Sequence, residues 1–137
     1  MPFYQFTVPA DSATARKKAE VAAAVTAVHA EVTGAPSQYV NCSFVEVPPG
    51  SIFVAGTAVE AGRMVGLIRQ GRSEEVKRKL ITALADAWVS VTGEAIEDIA
   101  LFLHEVSGHQ VMENGQLLRR HPKTGSSRTR YVPERAE

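Results

Sequence analysis

An internal repeat constrains this fold more than any other feature of the sequence. "EVTG" closes at Gly34 and "SVTG" at Gly93, while "FVEV" closes at Val47 and "LHEV" at Val106. Both pairs are offset by the same 59 positions. Two equal offsets on matching elements indicate a duplicated strand–helix–strand unit. Such a unit makes two parallel strands joined by a right-handed crossover. Two units side by side predict an α/β (α+β) domain: a four-stranded, mainly parallel sheet with both helices on one face. The other face is then left with apolar residues and no helix above them. Self-association is the simplest cover, so a homo-oligomer is expected.

The local signals fill in this frame. A strand is predicted from Pro2 to about Val8, ended by "PADS", where Asp11 or Ser12 caps one helix running to about Thr33 and Gly34. Its apolar stripe is Val21, Val25, Val28 and Val32. "QYVNCSFVEV" reads as the next strand and "SIFVAG" as one arm of a hairpin after the "PPG" turn. "RMVGLIRQG" opens the second unit. Ser73 caps its helix, which buries Val76, Leu80, Leu84, Trp88 and Val91 and stops at Gly93 before the strand "IALFLHEV". The repeats span about 2–47 and 62–106, within a domain of residues 1–118. Residues 119–137 form a basic tail without apolar period, expected to be mobile or loosely docked. As a nucleic-acid arm it is poorly supported, because only Tyr131 offers a stacking partner.

Composition excludes several classes. The chain has 137 residues, 45% hydrophobic and 22% charged, with zero formal net charge. That suits one globular domain and gives no electrostatic pull towards nucleic acid or anionic lipid. The single cysteine, Cys42, has no intrachain partner and no zinc-site context, so no metal is expected. No signal peptide is read at the start. No apolar run approaches the roughly 20 residues of a membrane span. A cytoplasmic protein is expected.

Overlaying the halves exposes candidate chemistry. His29 falls where the second half has Trp88, so it should point at the sheet; the alternative is a core histidine bonded to a backbone carbonyl. If all four strands begin together, Pro2 should lie near the start of "RMVGLIRQG", and His29 near Pro2. Arg69 and Arg72, around the Gly71 turn, could clamp a carboxylate with two planar forks of donors, or be a solvated surface pair. Glu113 stands beside the Asn114-Gly115 turn, as an exposed hairpin carboxylate or as a base for water. Loss of Met1 would turn Pro2 into a secondary amine that titrates near working pH and can move protons to and from carbon.

Taken together, "VTAVHAEVTG", "LIRQGRS" and "VMENGQLL" behind an initial Met-Pro resemble the tautomerase superfamily, in particular its cis-3-chloroacrylic acid dehalogenase-like group. The resemblance covers Pro2 to about Leu118. It implies a trimer, no cofactor and a small carboxylate substrate. Pro2 would transfer the proton, Arg69 and Arg72 would bind the carboxylate with help from His29, and Glu113 would activate water. Phe102 stands where the dehalogenases have a tyrosine that helps hold that water. Losing such a contact costs about 1–3 kcal/mol, so dehalogenation or hydration of cis-3-substituted acrylates should be weak. Keto–enol tautomerisation of 2-oxo acids needs that water less. His104 and Tyr131 are the available substitutes for the missing hydroxyl. A binding protein without useful turnover and a malonate semialdehyde decarboxylase-like enzyme are the alternative readings.

Overall fold

The computed structural model describes residues 1–118 and the backbone of 133–135. The first repeat folds as β1 (Phe3–Pro9), α1 (Ala13–Arg16), α2 (Lys18–Thr33) and β2 (Asn41–Val47). A hairpin of β3 (Phe53–Val54) and β4 (Thr57–Ala58) follows. The second repeat is β5 (Arg63–Arg69), α3 (Glu74–Thr92) and β6 (Ala100–Val106). A second hairpin, β7 (Met112–Glu113) and β8 (Gln116–Leu118), comes next, and β9 (Pro133–Arg135) closes the chain.

The repeated "VTG" is a helix stop with the same chemistry in both halves. Gly34 and Gly93 adopt left-handed φ of 73° and 75°, and their N–H groups reach the carbonyls of Ala30 and Val89. The preceding threonines donate to the carbonyls of His29 and Trp88 at 2.6 and 2.9 Å. They also accept the N–H of Ala35 and Glu94, each at 3.2 Å. The starts of the two helices differ. Ser73 caps α3 by accepting the Val76 N–H at 3.2 Å. Ser12 caps only the four-residue α1, and the chain breaks at Lys17 (φ −124°) before α2. The single predicted helix is thus two. Tertiary bonds hold the first turn aside: Thr14 donates its hydroxyl to Glu94 at 2.7 Å and accepts the Trp88 indole N–H at 2.9 Å, and Lys17 donates to the Val91 carbonyl.

The sheet has strand order β2-β1-β5-β6. β1 and β2 are parallel, as are β5 and β6, but the central pair β1–β5 is antiparallel. Two of the three pairings are therefore parallel. The expectation that Pro2 lies near the start of "RMVGLIRQG" is overturned, because Phe3 pairs with Leu67 and the register brings Pro2 to the far end of β5. The reason lies in residues 48–62. They are folded into the β3–β4 hairpin and do not cross the sheet, so β5 starts at the end where β2 stops. A short connection of that kind permits only antiparallel progress. The two units are related by an approximate twofold axis through the centre of the β1–β5 pair.

Alternation along the strands sorts the residues between faces. Tyr4, Phe6 and Val8 of β1 and Met64 and Ile68 of β5 are buried against Val21, Val25, Leu80, Leu84 and Trp88 from the helices. His29 takes the buried place on α2 that Trp88 takes on α3, while Val28 and Val32 are only partly buried. Cys42 lies half-buried on the core face of β2, where burial pushes its thiol up to about 11. Among the described residues, no helix covers the opposite face. Val45, Val65 and Phe102 there remain 40%, 45% and 58% exposed. No helix among the described residues is long and apolar enough to cross a membrane.

The predicted tail lies outside the described residues except at β9, whose backbone pairs antiparallel with β8 from Leu118↔Pro133 to Gln116↔Arg135. Tyr131 also lies outside them.

Gly66 shows how tightly one element of the core is fitted. It faces Tyr4 across β1–β5, and a Cβ there would meet the Tyr4 ring at 2.7 Å and Leu103 at 2.8 Å. Overpacking of this kind costs about 1–3 kcal/mol. Gly66→Ala should therefore lower the unfolding free energy by that amount and shift the denaturant midpoint down, whereas Gly115→Ala, which meets nothing within 4 Å, changes only the strained turn (φ +74°). An unchanged midpoint in Gly66→Ala would show that Tyr4 is not held where it is drawn.

Candidate functional site

The antiparallel centre of the sheet brings five separate sequence features to one end. Pro2 is buried at the start of β1, and its carbonyl accepts the backbone N–H and side-chain amide of Asn41 at 3.0 and 3.1 Å. This pins the chain start to β2. Continuing the β1–β5 register sets Met1 level with Arg69, the last residue of β5. Met1 is 5% exposed, and its ammonium group forms an ion pair with Glu113. Glu113 arrives on β7, turned back by Asn114 and Gly115, both at positive φ (54° and 74°).

The turn from β5 into α3 carries the arginines. Gly71, with φ of 110°, reverses the chain, and Arg72 folds back to donate to the Arg69 carbonyl at 3.1 Å. Glu105 on β6 braces this turn. Its carboxylate accepts the Gly71 N–H at 3.3 Å and the Lys77 ammonium at 2.7 Å. Arg72 is half-buried, and burial pulls its affinity for protons down, opposed by Tyr4 and Glu105. At the end of α2, His29 is 1% exposed, and its Nδ1 lies 2.6 Å from the Tyr4 hydroxyl. Its partner is thus a phenol and not a backbone carbonyl.

The surroundings favour a neutral imidazole and weaken the hold of the chain-start amine on its proton. Burial, then the cations Arg72 and the N-terminal ammonium, lower His29 to about 3. Burial also lowers the N-terminal amine below its ordinary 8.0; Glu113 opposes this and Arg69 adds to it. Among the described residues no group of three His, Cys, Asp or Glu is placed to hold a metal ion.

The family model Tautomerase_3, described as "Putative oxalocrotonate tautomerase enzyme", matches residues 1–134. The chain belongs to the tautomerase superfamily. Solved structures agree with this assignment. A member of the cis-3-chloroacrylic acid dehalogenase family is 26% identical, with TM-score 0.81, covering 86% of this chain and 84% of its own. Native Ps01740 is 28% identical, with TM-score 0.75, covering 81% and 99%. An asymmetric trimer of fused 4-OT, at 20% identity, TM-score 0.75 and coverage of 84% and 94%, shares the fold. No curated protein matches this chain in sequence.

Within this tautomerase-superfamily chain, Pro2, His29, Arg69, Arg72 and Glu113 converge, and Phe102 does not. Arg69 pairs with Val106 on β6, and Phe102 lies four residues back along that strand. That is about 13 Å at a strand's usual rise. Phe102 sits with exposed His104 on the helix-free face, away from the cluster. Sequence reading missed Tyr4 and Glu105. Tyr4 occupies an ordinary inward position of β1, and Glu105 was visible only as part of the repeated strand ending.

His29 yields a pH prediction with a definite sign. An unfolded histidine titrates near 6.5 and the buried one near 3, so between these values the unfolded chain binds more protons. Stability then falls as pH drops through that window, by up to about 1.4 kcal/mol per pH unit from this group. Urea unfolding of His29→Gln should remove this component. If the difference between wild type and variant is flat with pH, His29 is charged in the native state.

Proposed function

We propose that this chain is a cofactor-independent enzyme that moves protons on small 2-oxo or unsaturated carboxylic acids, with Pro2 as its working amine once Met1 is removed. The observation that carries this is the meeting of the buried chain start with Glu113, Arg69, Arg72 and His29 at one end of the sheet. Arg69 and Arg72 hold the substrate carboxylate and draw charge towards it as an enolate forms. Burial, and then Arg69, weaken the hold of the chain-start amine on its proton against the pull of Glu113, and the same surroundings would help a prolyl nitrogen take a proton from the carbon next to the oxo group and return it. His29 supports the carboxylate. No metal or organic cofactor enters this step.

Hydration uses the same groups differently. Glu113 takes a proton from a water as the water oxygen adds to the β-carbon of a cis-3-substituted acrylate, and Pro2, in its protonated form, gives its proton to the α-carbon. With 3-chloroacrylate the product then expels chloride and a proton to give malonate semialdehyde. In the trimer proposed below, a neighbouring copy would bring a Phe102 over the site, and its ring offers that water no hydroxyl, so tautomerisation of a 2-oxo acid such as phenylpyruvate is the favoured reaction. The family's description as an oxalocrotonate tautomerase supports the same order. Decarboxylation of malonate semialdehyde would draw on the same proline and arginines, and carbon dioxide release distinguishes it.

One observation favours a non-catalytic binding protein instead. Met1, when retained, fills the site and ties up Glu113 through its ammonium group. Its acylated proline is then an amide without a basic lone pair. Intact mass and a substrate panel decide between the two. Methionine-processed protein should turn over phenylpyruvate at least tenfold faster than cis-3-chloroacrylate, a gap of about 1.4 kcal/mol or more in barrier. Pro2→Ala should lose both activities. Equal rates for Pro2→Ala and wild type would remove the proline from the mechanism, and a dominant species carrying Met1 would favour the binding protein.

We further propose a homotrimer. The exposed Val45, Val65 and Phe102 on the helix-free face support it, as does the trimeric assembly of the fused 4-OT neighbours. Light scattering should give three times the 14.8 kDa chain mass, and Val65→Asp should reduce it. A monomer at micromolar concentration contradicts this assembly.

A further inference from the structure

The bond between Tyr4 and His29 is more informative than a core contact. Both residues are essentially buried, at 0% and 1% exposure, and their rings meet edge to face with centroids 5.6 Å apart. The Tyr4 hydroxyl lies 2.6 Å from His29 Nδ1. The other ring nitrogen, Nε2, is also shielded from solvent but has no hydrogen-bond partner among the described residues. A nitrogen buried without a partner is costly, and at a site it is commonly paired by the ligand.

Donor accounting separates the two neutral tautomers. If Nδ1 carried the hydrogen, it would donate to the phenol oxygen. The Tyr4 O–H would then lack an acceptor, and Nε2 would present a lone pair. If Nε2 carries the hydrogen, Tyr4 donates to Nδ1, both groups of the pair are satisfied, and a single N–H is left over. The charges acting on the ring are Arg72, from the turn after β5, and the N-terminal ammonium before β1. Behind them, Cys42 acts on Tyr4, Arg69 and Glu105 act on Arg72, and Glu113 holds the ammonium group. The ring thus stands among cations that already favour an anion.

We propose that Tyr4 is a positioning residue that holds His29 as the Nε2–H tautomer, so that Nε2 donates to an oxygen of the bound carboxylate or oxo group beside Arg72. This rests on the carboxylate-binding reading above and deepens it. The imidazole is then a fixed neutral donor, not a proton shuttle, and the site discriminates for ligands with an acceptor oxygen within its reach. Gly66 belongs to the same device, because only a residue without Cβ leaves the Tyr4 ring in its place.

The test is two-bond proton–nitrogen NMR on full-length, methionine-processed protein with labelled histidines, His29 being assigned by its absence in His29→Gln. The expected spectrum shows a protonated Nε2 and a bare Nδ1, unchanged from about pH 5 to 8. Phenylpyruvate should shift the Nε2 signal while leaving Nδ1 bare. In Tyr4→Phe the bare-Nδ1 signature should be lost, and KM for phenylpyruvate should rise about tenfold with kcat changed far less. A hydrogen on Nδ1, an imidazolium spectrum near neutral pH, or wild-type nitrogen shifts in Tyr4→Phe each overturn the proposal. The tautomer is read without turnover. An inactive enzyme with the expected spectrum therefore sinks the assigned reaction and not this one.

Discussion

The antiparallel pairing of β1 with β5 governs everything else in this molecule. Seven-residue strands from two similar units meet head to tail, centred near Gln5 and Val65. The pairing puts the start of one unit's first strand beside the end of the other's. Pro2 is thereby set beside Arg69, and the end of α2 beside the turn that opens α3. With a parallel centre the same residues would stand at opposite edges of the sheet, and no single site could use them. The connection that enforces this is residues 48–62, folded into the β3–β4 hairpin.

A twofold arrangement of two equal units would build two equal sites, and this chain does not. At one end His29 meets Tyr4 and leaves a nitrogen unpaired; at the other, Trp88 occupies the matching place and spends its indole N–H on Thr14. Thr14 is in turn bound to Glu94, closing a polar network that holds α1 against α3. At that end the indole N–H and the Thr14 hydroxyl are both bonded within the chain, although one Glu94 carboxylate oxygen is buried without a hydrogen-bond partner among the described residues. The other end leaves cations and an unpaired nitrogen beside a buried amine, an arrangement that an anionic ligand completes.

The repeat, the helix stops at Gly34 and Gly93, the Asn114-Gly115 hairpin and the middle of each buried face were legible, because each rests on local backbone chemistry or on periodicity; Val28 and Val32 on α2 and Val76 and Val91 on α3 are only partly buried. The break at Lys17 was not, because it comes from bonds between Thr14 and residues some 80 positions away. Glu105 was hidden for a similar reason: its partners, Gly71 and Lys77, lie on another strand's turn and on α3. Phe102 could be numbered from the sequence, but its place on the uncovered face, four residues from the strand end that carries the cluster, needed the register of β5 with β6.

By itself, then, the sequence determined two strand–helix–strand units, the glycine stops of their helices and most of the charged candidate residues. Those properties follow from the size, polarity and backbone preferences of neighbouring residues. The sign of the central pairing, the ion pair between the chain start and Glu113, and the meeting of Tyr4 with His29 were decided by tertiary structure alone. Each depends on where a strand lands beside another, a global balance of connection length and burial that no local pattern encodes.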